Sequence, residues 1–175
     1  MPLDHLWATW RSAYVTGVAD SRRINEEAPD GRSLFERILA APGSDDDKHL
    51  VYRGQECFVL LNKFPYTSGH MLVLPNRAES NLEELSETEH DELWDLVRAA
   101  VVALKGAFRC DAVNVGVNLG AAAGGSQADH LHVHCVPRWV GDANFLGVVA
   151  ETRVLPVSLD DALVRIRGAW PTIPR

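Results

Sequence analysis

Residues 130–136 of the chain read His130-Leu131-His132-Val133-His134-Cys135-Val136, three histidines in strict alternation with apolar residues. Successive side chains of a β-strand point to opposite faces, so a strand here would place the three imidazoles on one face and the apolar side chains between them on the other. The pattern therefore predicts a strand with one face in the core and one face available for chemistry. A less specific interpretation is a row of solvated histidines with no ligand.

The composition is typical of an ordinary globular protein. The chain has 175 residues, of which 46% are hydrophobic and 23% charged, and this length fits one domain with a substantial core. No apolar run approaches the roughly 20 residues that span a bilayer, and residues 1–5 lack the basic-then-apolar layout of a signal peptide. We therefore expect a cytoplasmic protein without a membrane partner.

The net charge argues against one class of partner, and the cysteine pattern argues against two kinds of structural site. The net charge of -7 argues against nucleic acid as a partner, since binding to phosphate backbones depends on basic residues. Cys57, Cys110 and Cys135 are odd in number and widely spaced among apolar neighbours. This spacing is typical of buried thiols and not of a disulfide framework or a Cys-x-x-Cys zinc site.

Strand and helix patterns follow one another from residue 50 onward. Residues 51–61 have the pattern of a β-hairpin that turns at Gly54-Gln55, and residues 70–74 form a third strand that ends at Pro75. Ser86-Glu87-Thr88-Glu89 has the form of a capping box and starts the one long predicted helix, about Glu87 to Phe108. Residues 113–119 alternate as a strand, and Ser158 could cap a last helix. Hairpin-connected strands with one long helix predict an α+β fold with an antiparallel sheet.

The first 49 residues look like an extension of this core. Leu6-Trp7-Ala8-Thr9-Trp10-Arg11 is rich in aromatic residues, and we expect it to dock on the body of the protein or on a second subunit. Residues 20–48 are polar and predict an exposed loop with one or two helical turns at residues 33–39. Without a repeat or a linker, the chain is predicted to be a single domain, 1–175. It consists of the extension (1–49), the core (50–157) and a C-terminal helix and tail (158–175).

A loop of small residues precedes the histidine strand. Gly124-Gly125-Ser126-Gln127 could direct backbone N–H groups and two polar side chains toward whatever the imidazoles face. Glycine lets the main chain approach a phosphate closely, and neutral donors suit a protein that is acidic overall.

Three imidazoles on one face allow two kinds of chemistry. Neutral imidazole is a common transition-metal ligand, so the strand could present a tripod to zinc and support a metal-dependent hydrolase. Alternatively, one imidazole could attack phosphorus to form a phosphohistidine while its neighbours hold the developing charge. The adjacent glycine-rich loop favours the second chemistry. A zinc site would also need carboxylates that accept hydrogen bonds from the ligand histidines, and only Asp129 is near in sequence.

Several blocks of the sequence resemble the histidine-triad (HIT) superfamily of nucleotidyl hydrolases and transferases. His130 to Val136 fits its signature of three histidines alternating with apolar residues, and Asn62 to Pro75 resembles its Asn…Pro…Gly-His…Pro segment. The stretches Asn114 to Gly120, Ala123 to Ser126 and Val136 to Phe145 are similar to the diadenosine tetraphosphate phosphorylase and hydrolase branch. The aromatic block at residues 6–11 is also common there.

The resemblance implies a fold and an assembly. The fold would be a five-stranded antiparallel sheet with the long helix packed on it and a C-terminal helix, and two copies would form a homodimer with a ten-stranded sheet. It also implies roles for four histidines. His132 would be the nucleophile, His130 would fix the tautomer of His132 through its carbonyl and contact phosphate, His134 would bind the α-phosphate, and His70 would lie behind the site.

The resemblance also implies binding residues and cofactors. Asn62 would bind ribose, and Trp139 belongs to a block typical of the branch. Zinc-bearing relatives carry metal ligands at positions that here look like Ser33, Glu36 and Ala78, so no structural zinc is expected. The covalent intermediate requires no cofactor, although a divalent cation such as magnesium could accompany the polyphosphate. The remaining positions implied to bind nucleotide or phosphate are Asn118, Gly125, Ser126 and Gln127.

These features predict an enzyme that cleaves dinucleoside polyphosphates through a covalent His132-AMP intermediate. A diadenosine tetraphosphate phosphorylase, which uses inorganic phosphate as acceptor and yields ADP and ATP, is favoured by the tryptophan-containing block and the missing zinc ligands. The alternatives are a hydrolase that uses water, a nucleoside phosphoramidate hydrolase and a nucleotide-binding module without catalysis.

Overall fold

The computed structural model describes residues 31–124, 127–142 and 155–172. Except for Gly31, these residues belong to the second of the chain's two units, Arg32–Arg175. The helices are α1 (Leu34–Ala40), α2 (Glu87–Phe108) and α3 (Leu159–Gly168), with two short 3-10 turns at Leu82–Glu84 and Ala121–Ala123. The strands are β1 (Leu50–Arg53), β2 (Cys57–Leu61), β3 (Met71–Pro75), β4 (Ala112–Val117) and β5 (Val133–Arg138).

The five strands form one antiparallel sheet in the order β1-β2-β3-β5-β4. The histidine-bearing strand β5 therefore lies inside the sheet, between β3 and β4. The predicted α+β fold, the five-stranded antiparallel sheet and the helix packed on it are confirmed.

Helix α2 begins and ends where the sequence predicts. Ser86 is the N-cap, its hydroxyl accepts a hydrogen bond from the Glu89 backbone N–H, and the Glu89 carboxylate accepts one from the Ser86 backbone N–H. Arg109 ends the helix in a left-handed conformation, with φ of 49°. The buried residues of α2 recur every three or four positions, as expected of a helix that packs one face on a sheet.

Helices α2 and α3 cover one face of the sheet, here called the helix face. Alternate strand residues fill the core between them, because successive residues of a strand point to opposite faces. In β5 these are Val133 and Cys135, and in β3 they are Met71 and Val73. The other face, here called the histidine face, holds a smaller apolar cluster that includes Leu72 and Leu74 of β3 and Phe35 of α1.

All three cysteines are free and buried, as the sequence predicts. Burial raises the pKa of Cys57 and of Cys135 to about 12, so both thiols are protonated and inert near neutral pH. The predicted docking of the aromatic N-terminal block lies outside the described residues. The division of the whole chain into one domain with an extension stays a prediction, although helix α1 lies where one or two helical turns are expected.

The part of the chain that the structure describes contains no helix that is both long and apolar enough to cross a membrane.

Candidate active site

Strand β5 begins later than the sequence predicts. Its pairing with β3 and its pairing with β4 both start at Val133, opposite Val73 and Val117, so His130 and His132 lie just before the strand. The reason lies at the end of β3. Pro75 has no N–H to continue a ladder, and its carbonyl instead accepts a hydrogen bond from His130 Nε2 at 2.9 Å.

The three imidazoles nevertheless lie on the same side of the sheet. The ring centroids of His132 and His134 are 4.9 Å apart, and the ring of Phe35 contacts both His130 and His132. All this occurs on the histidine face, while Leu131 is buried in the core of the helix face. The predicted placement of the three histidines and of the apolar residues between them on opposite faces is confirmed.

His132 has the tautomer that a nucleophile requires. Its Nδ1 lies 2.8 Å from the carbonyl oxygen of His130. Because a carbonyl can only accept, Nδ1 carries the proton and Nε2 keeps its lone pair. The backbone of one histidine thus fixes the protonation of the next.

A loop residue fixes the tautomer of His134. The backbone N–H of Tyr66 donates to His70 Nδ1 at 3.1 Å, so the proton of neutral His70 is on Nε2, which lies 2.9 Å from His134 Nδ1. His134 Nδ1 therefore accepts, and its Nε2 carries a proton. This Nε2 is buried without a hydrogen-bond partner among the described residues. The site thus offers one N–H donor beside the lone pair of His132.

The loop of residues 62–70 needs glycine at Gly69 to place His70. Gly69 has φ of 87°, a conformation that side chains rarely adopt. A Cβ atom at this position would lie 2.5 Å from the ring of Phe108 in helix α2. The close approach of the loop to α2 therefore depends on this glycine, and His70 directly after it is fully buried.

Burial also sets the charge of the triad. The pKa values of His130 and His132 are lowered, chiefly because burial disfavours the charged ring. Burial, with a smaller contribution from the neighbouring His132, lowers the pKa of His134 to about 4. Near neutral pH all three rings are therefore uncharged, which is the state that nucleophilic attack requires.

Both nitrogens of His130 are already in use. Nε2 donates to Pro75, and Nδ1 lies 2.7 Å from the hydroxyl of Ser33. A metal tripod made of the three histidines would have to break one of these bonds. The phosphate contact that the resemblance implies for His130 would need the same rearrangement, so this contact stays a prediction.

The predicted binding residues differ in where they lie. Asn62 donates from Nδ2 to His70 Nδ1 at 3.3 Å. Asn118 follows directly after β4, one residue past the pair of Val117 with Val133 and so level with His132. The side-chain oxygen of Gln127 is buried without a hydrogen-bond partner among the described residues. Asn62 and Asn118 therefore lie close to the histidines. Gln127 contributes a buried oxygen that has no partner among the described residues.

Trp139 packs elsewhere. Its ring meets that of Phe108 edge to face, with the centroids 6.4 Å apart, and it belongs to the apolar packing of the helix face. Its role in binding nucleotide stays a prediction. Gly125 and Ser126 lie outside the described residues, so the glycine-rich loop is described only at Gly124 and Gln127.

The positions where zinc-bearing relatives carry metal ligands do meet behind His130. Ser33 contacts His130, and the Glu36 carboxylate accepts from the backbone N–H groups of Ser33 and Ala78. Ala78 has no ligand atom in its side chain, so these residues do not fit a tetrahedral zinc site. No cluster that could bind a metal through three or more His, Cys, Asp or Glu residues occurs in the described ranges.

Sequence reasoning missed several contributors to the site. The sequence predicts helical turns at residues 33–39 and suggests Ser33 and Glu36 as replacements for metal ligands, but neither pattern assigns these two residues a contact with His130. The capping-box form of Ser33-Leu34-Phe35-Glu36 is the signal for the helix start that places them there. The carbonyl of Pro75 and the ring of Phe35 carry no sequence signal for a contact with His130, which is 55 residues from Pro75.

Comparisons with known proteins agree with this geometry. The family model described as "HIT domain" matches residues 44–140. The chain is 37% identical over 172 residues to "AP-4-A phosphorylase" of Mycobacterium tuberculosis (strain H37Rv), covering 98% of this chain and 87% of that protein. It is 34% identical over 93 residues to "Bis(5'-nucleosyl)-tetraphosphatase [asymmetrical]" of Schizosaccharomyces pombe, covering 53% of this chain and 50% of the relative.

Solved structures show the same fold. A histidine triad nucleotide-binding protein of Sulfolobus tokodaii matches 77% of this chain and 89% of its own, with a TM-score of 0.61 and 27% identity. A zinc-bound histidine triad family protein of Mycobacterium smegmatis matches 78% of this chain and 91% of its own, with a TM-score of 0.63 and 22% identity.

The fold and the three alternating histidines define a histidine-triad protein. The chain belongs to the HIT family.

Proposed function

We propose that this chain is a dinucleoside polyphosphate phosphorylase that converts diadenosine tetraphosphate and inorganic phosphate to ADP and ATP. One observation of the structure carries the proposal. His132 presents an unprotonated Nε2, fixed by the bond from its Nδ1 to the His130 carbonyl, beside the N–H of His134, which has no partner among the described residues. The choice of substrate is supported by the relative named "AP-4-A phosphorylase", which is similar over 98% of this chain.

In the first step His132 Nε2 attacks an α-phosphorus. A bond from this nitrogen to phosphorus forms, the bond from phosphorus to the bridging oxygen breaks, and ATP leaves with the electron pair of that bond. The imidazole gains positive charge as it attacks, and the His130 carbonyl that accepts from its Nδ1 stabilises that charge. The N–H at His134 Nε2 can donate to a non-bridging oxygen of the phosphorus.

In the second step an oxygen of inorganic phosphate attacks the phosphorus of the His132-AMP intermediate. ADP forms, the bond to nitrogen breaks, and the imidazole recovers its lone pair. A phosphorylase must favour phosphate over water at this step. Apart from the two substrates, both steps use only groups of the chain. The sequence is also compatible with a magnesium ion that accompanies the polyphosphate.

A product assay tests the proposal. Diadenosine tetraphosphate is incubated with and without inorganic phosphate, and the nucleotides are separated by chromatography. We expect ADP and ATP in equal amounts, at a rate that rises with phosphate and saturates. AMP and ATP formed at a rate independent of phosphate would establish the hydrolase instead.

Two further results would replace the proposal with another of its alternatives. Faster turnover of a nucleoside phosphoramidate than of diadenosine tetraphosphate would indicate a phosphoramidate hydrolase. A protein that binds nucleotide but shows no labelling of His132 in a single turnover would be a binding module. Protein that is treated with a chelator, freed of it and assayed with added magnesium should keep full activity, because both nitrogens of His130 already bind protein groups and do not hold a metal.

We also propose that the chain forms a homodimer through β4. This strand is the last in the sheet order, and Val115 at its centre is 43% exposed. An edge strand with exposed apolar residues is suited to pairing with a second copy. Light scattering that gives the mass of a monomer at micromolar concentration would contradict this assembly. The cytoplasmic location expected from the sequence stays a prediction.

A further inference from the structure

Helix α1 begins directly behind the triad. Its N-cap residue Ser33 is buried, with 4% of its surface exposed, and its hydroxyl accepts from the Glu36 backbone at 3.1 Å and lies 2.7 Å from His130 Nδ1. Since His130 Nε2 donates to the Pro75 carbonyl, Nδ1 keeps a lone pair. The Ser33 hydroxyl therefore donates to His130 while it caps the helix.

Glu36 makes a second link between α1 and the site. One carboxylate oxygen accepts from the Ser33 backbone N–H at 2.9 Å, and the other accepts from the Ala78 backbone N–H at 3.0 Å. Ala78 lies three residues after Pro75, whose carbonyl binds His130. The start of the helix is thus linked to the end of β3 through the His130 ring, and to the segment just after β3 through the Glu36 carboxylate.

Phe35 supplies the packing between these two links. Its ring meets that of His130 at 83° with centroids 5.4 Å apart, and that of His132 with centroids 5.5 Å apart. His130 is fully buried, and Phe35 and His132 are each 6% exposed. In so closely packed an environment, a shift of His130 moves the carbonyl that holds the proton of His132.

We propose that Ser33 and Glu36 are positioning residues of the nucleophile. They hold His130 in one tautomer and one place, so that its carbonyl presents His132 with Nε2 unprotonated and directed at the substrate. The effect on turnover rests on the proposed function, whereas the effect on the tautomers does not. A capping box usually stabilises only its own helix, whereas this one also holds His130 in the position that orients His132.

The chain offers a matched control. Ser86 with Glu89 forms the same capping box at the start of α2, and the Ser86 hydroxyl bonds to the Glu89 backbone and to the Thr88 hydroxyl. Ser86→Ala should therefore lower stability through the lost cap without changing the triad. Ser33→Gly removes the hydroxyl while glycine remains an acceptable N-cap. Ser33→Thr keeps a hydroxyl at the position.

Steady-state kinetics on diadenosine tetraphosphate give the first readout. We expect Ser33→Gly and Ser33→Ala to lower kcat by about tenfold, since a buried acceptor loses its partner, with KM within about twofold because the nucleotide contacts remain. Glu36→Gln should give a smaller loss, and Ser33→Thr should recover most of kcat. Ser86→Ala should keep the wild-type kcat although its melting temperature falls as in Ser33→Ala.

Nitrogen-15 NMR of the histidine side chains gives a readout that needs no substrate. In the wild type we expect a single Nε2–H tautomer for His130 and a single Nδ1–H tautomer for His132. In Ser33→Gly both rings should show mixed or exchanging tautomers, and in Ser86→Ala they should not. If the protein does not turn over diadenosine tetraphosphate, this measurement still decides the inference.

Two results would overturn the inference. Ser33→Gly with a wild-type kcat and unchanged tautomers would mean that Ser33 only caps the helix. An equal loss of kcat in Ser86→Ala and Ser33→Ala would mean that reduced stability, and not positioning, lowers the rate. Should Ser33→Ala fail to fold, Ser33→Gly and Glu36→Gln against Ser86→Ala carry the same comparison.

Discussion

The two faces of the sheet use the same strands for opposite purposes. On the helix face, Val133 and Cys135 of β5 pack under α2 in an apolar core. On the histidine face, His132 and His134 alternate with them and lie beside Phe35 and the loop of residues 62–70. The apolar packing of the helix face stabilises the fold. This stability allows the histidine face to keep its imidazoles buried, neutral and in fixed tautomers.

This difference shows how a small domain keeps imidazole side chains uncharged near pH 7. Burial lowers the pKa of each ring of the triad, and a buried polar ring destabilises the fold unless its nitrogens find partners. The partners come from distant parts of the chain, among them Ser33, His70 and the Pro75 carbonyl. Substitutions on the two faces should therefore separate activity from stability.

The largest expected effect is that of His132→Asn. It removes the attacking nitrogen on the histidine face and leaves the core of the helix face untouched. We expect kcat for diadenosine tetraphosphate to fall by more than about a thousandfold, with nucleotide binding and melting temperature nearly unchanged. Calorimetric titration with a non-cleavable dinucleotide checks the binding. A variant that keeps a tenth of the wild-type rate would show that another group attacks.

The neighbouring residue gives the opposite result. Leu131 lies between two histidines but belongs to the helix-face core, with 2% of its surface exposed. Leu131→Ala leaves a cavity there and should lower the free energy of unfolding by about 2–5 kcal/mol, measured by urea denaturation. The kcat of the folded fraction should stay within about threefold of wild type, because the Leu131 side chain packs on the helix face, away from the three imidazoles. A loss of kcat as large as in His132→Asn would contradict the division between the faces.

The sequence predicts the helix face well and the histidine face only in outline. Periodicity placed α2 at Glu87 to Phe108, and alternation separated the histidines from the core, because these signals are local. The link from Ser33 to His130 joins residues 97 positions apart, and the one from His70 to His134 joins residues 64 apart. Their partners are fixed by tertiary packing, which no local pattern encodes. The late start of β5 depends in the same way on the end of β3.

Acid should weaken the protein through the histidine face. The pKa of folded His134 is about 4, against about 6.5 for an unfolded histidine. Between these values the unfolded chain binds a proton that the folded chain does not, so stability is present above pH 6.5 and falls as the pH drops. At pH 5 His134 alone should lower the free energy of unfolding by roughly 2 kcal/mol relative to pH 7.

Urea denaturation at pH 7 and at pH 5 measures this loss. His134→Gln should show a smaller loss than the wild type, because the glutamine does not titrate, while His130 and His132 continue to contribute in the same direction. Leu131→Ala should show the full wild-type pH dependence on top of its lower stability. A wild-type stability that is flat from pH 7 to pH 5 would mean that the triad is not held neutral by burial.

The smallest expected effect concerns His70, which acts through His134. In the folded protein the Tyr66 backbone N–H donates to His70 Nδ1, and His70 Nε2 donates to His134 Nδ1, which leaves the proton of His134 on Nε2. His70→Ala removes this donor, so His134 can take the other tautomer and present a lone pair where the developing phosphate charge needs an N–H. We expect kcat to fall by about tenfold, with a smaller change in KM, because the donor matters most when the charge on the phosphate is greatest.

His70→Gln, whose amide N–H can replace the lost donor, should recover part of the rate. Since His70 is fully buried, melting temperatures of both variants must be measured to separate a cavity effect from a change of tautomer. A wild-type kcat in His70→Ala would mean that His134 holds its proton on Nε2 without help, and the histidine face would then need fewer distant contacts than the structure indicates.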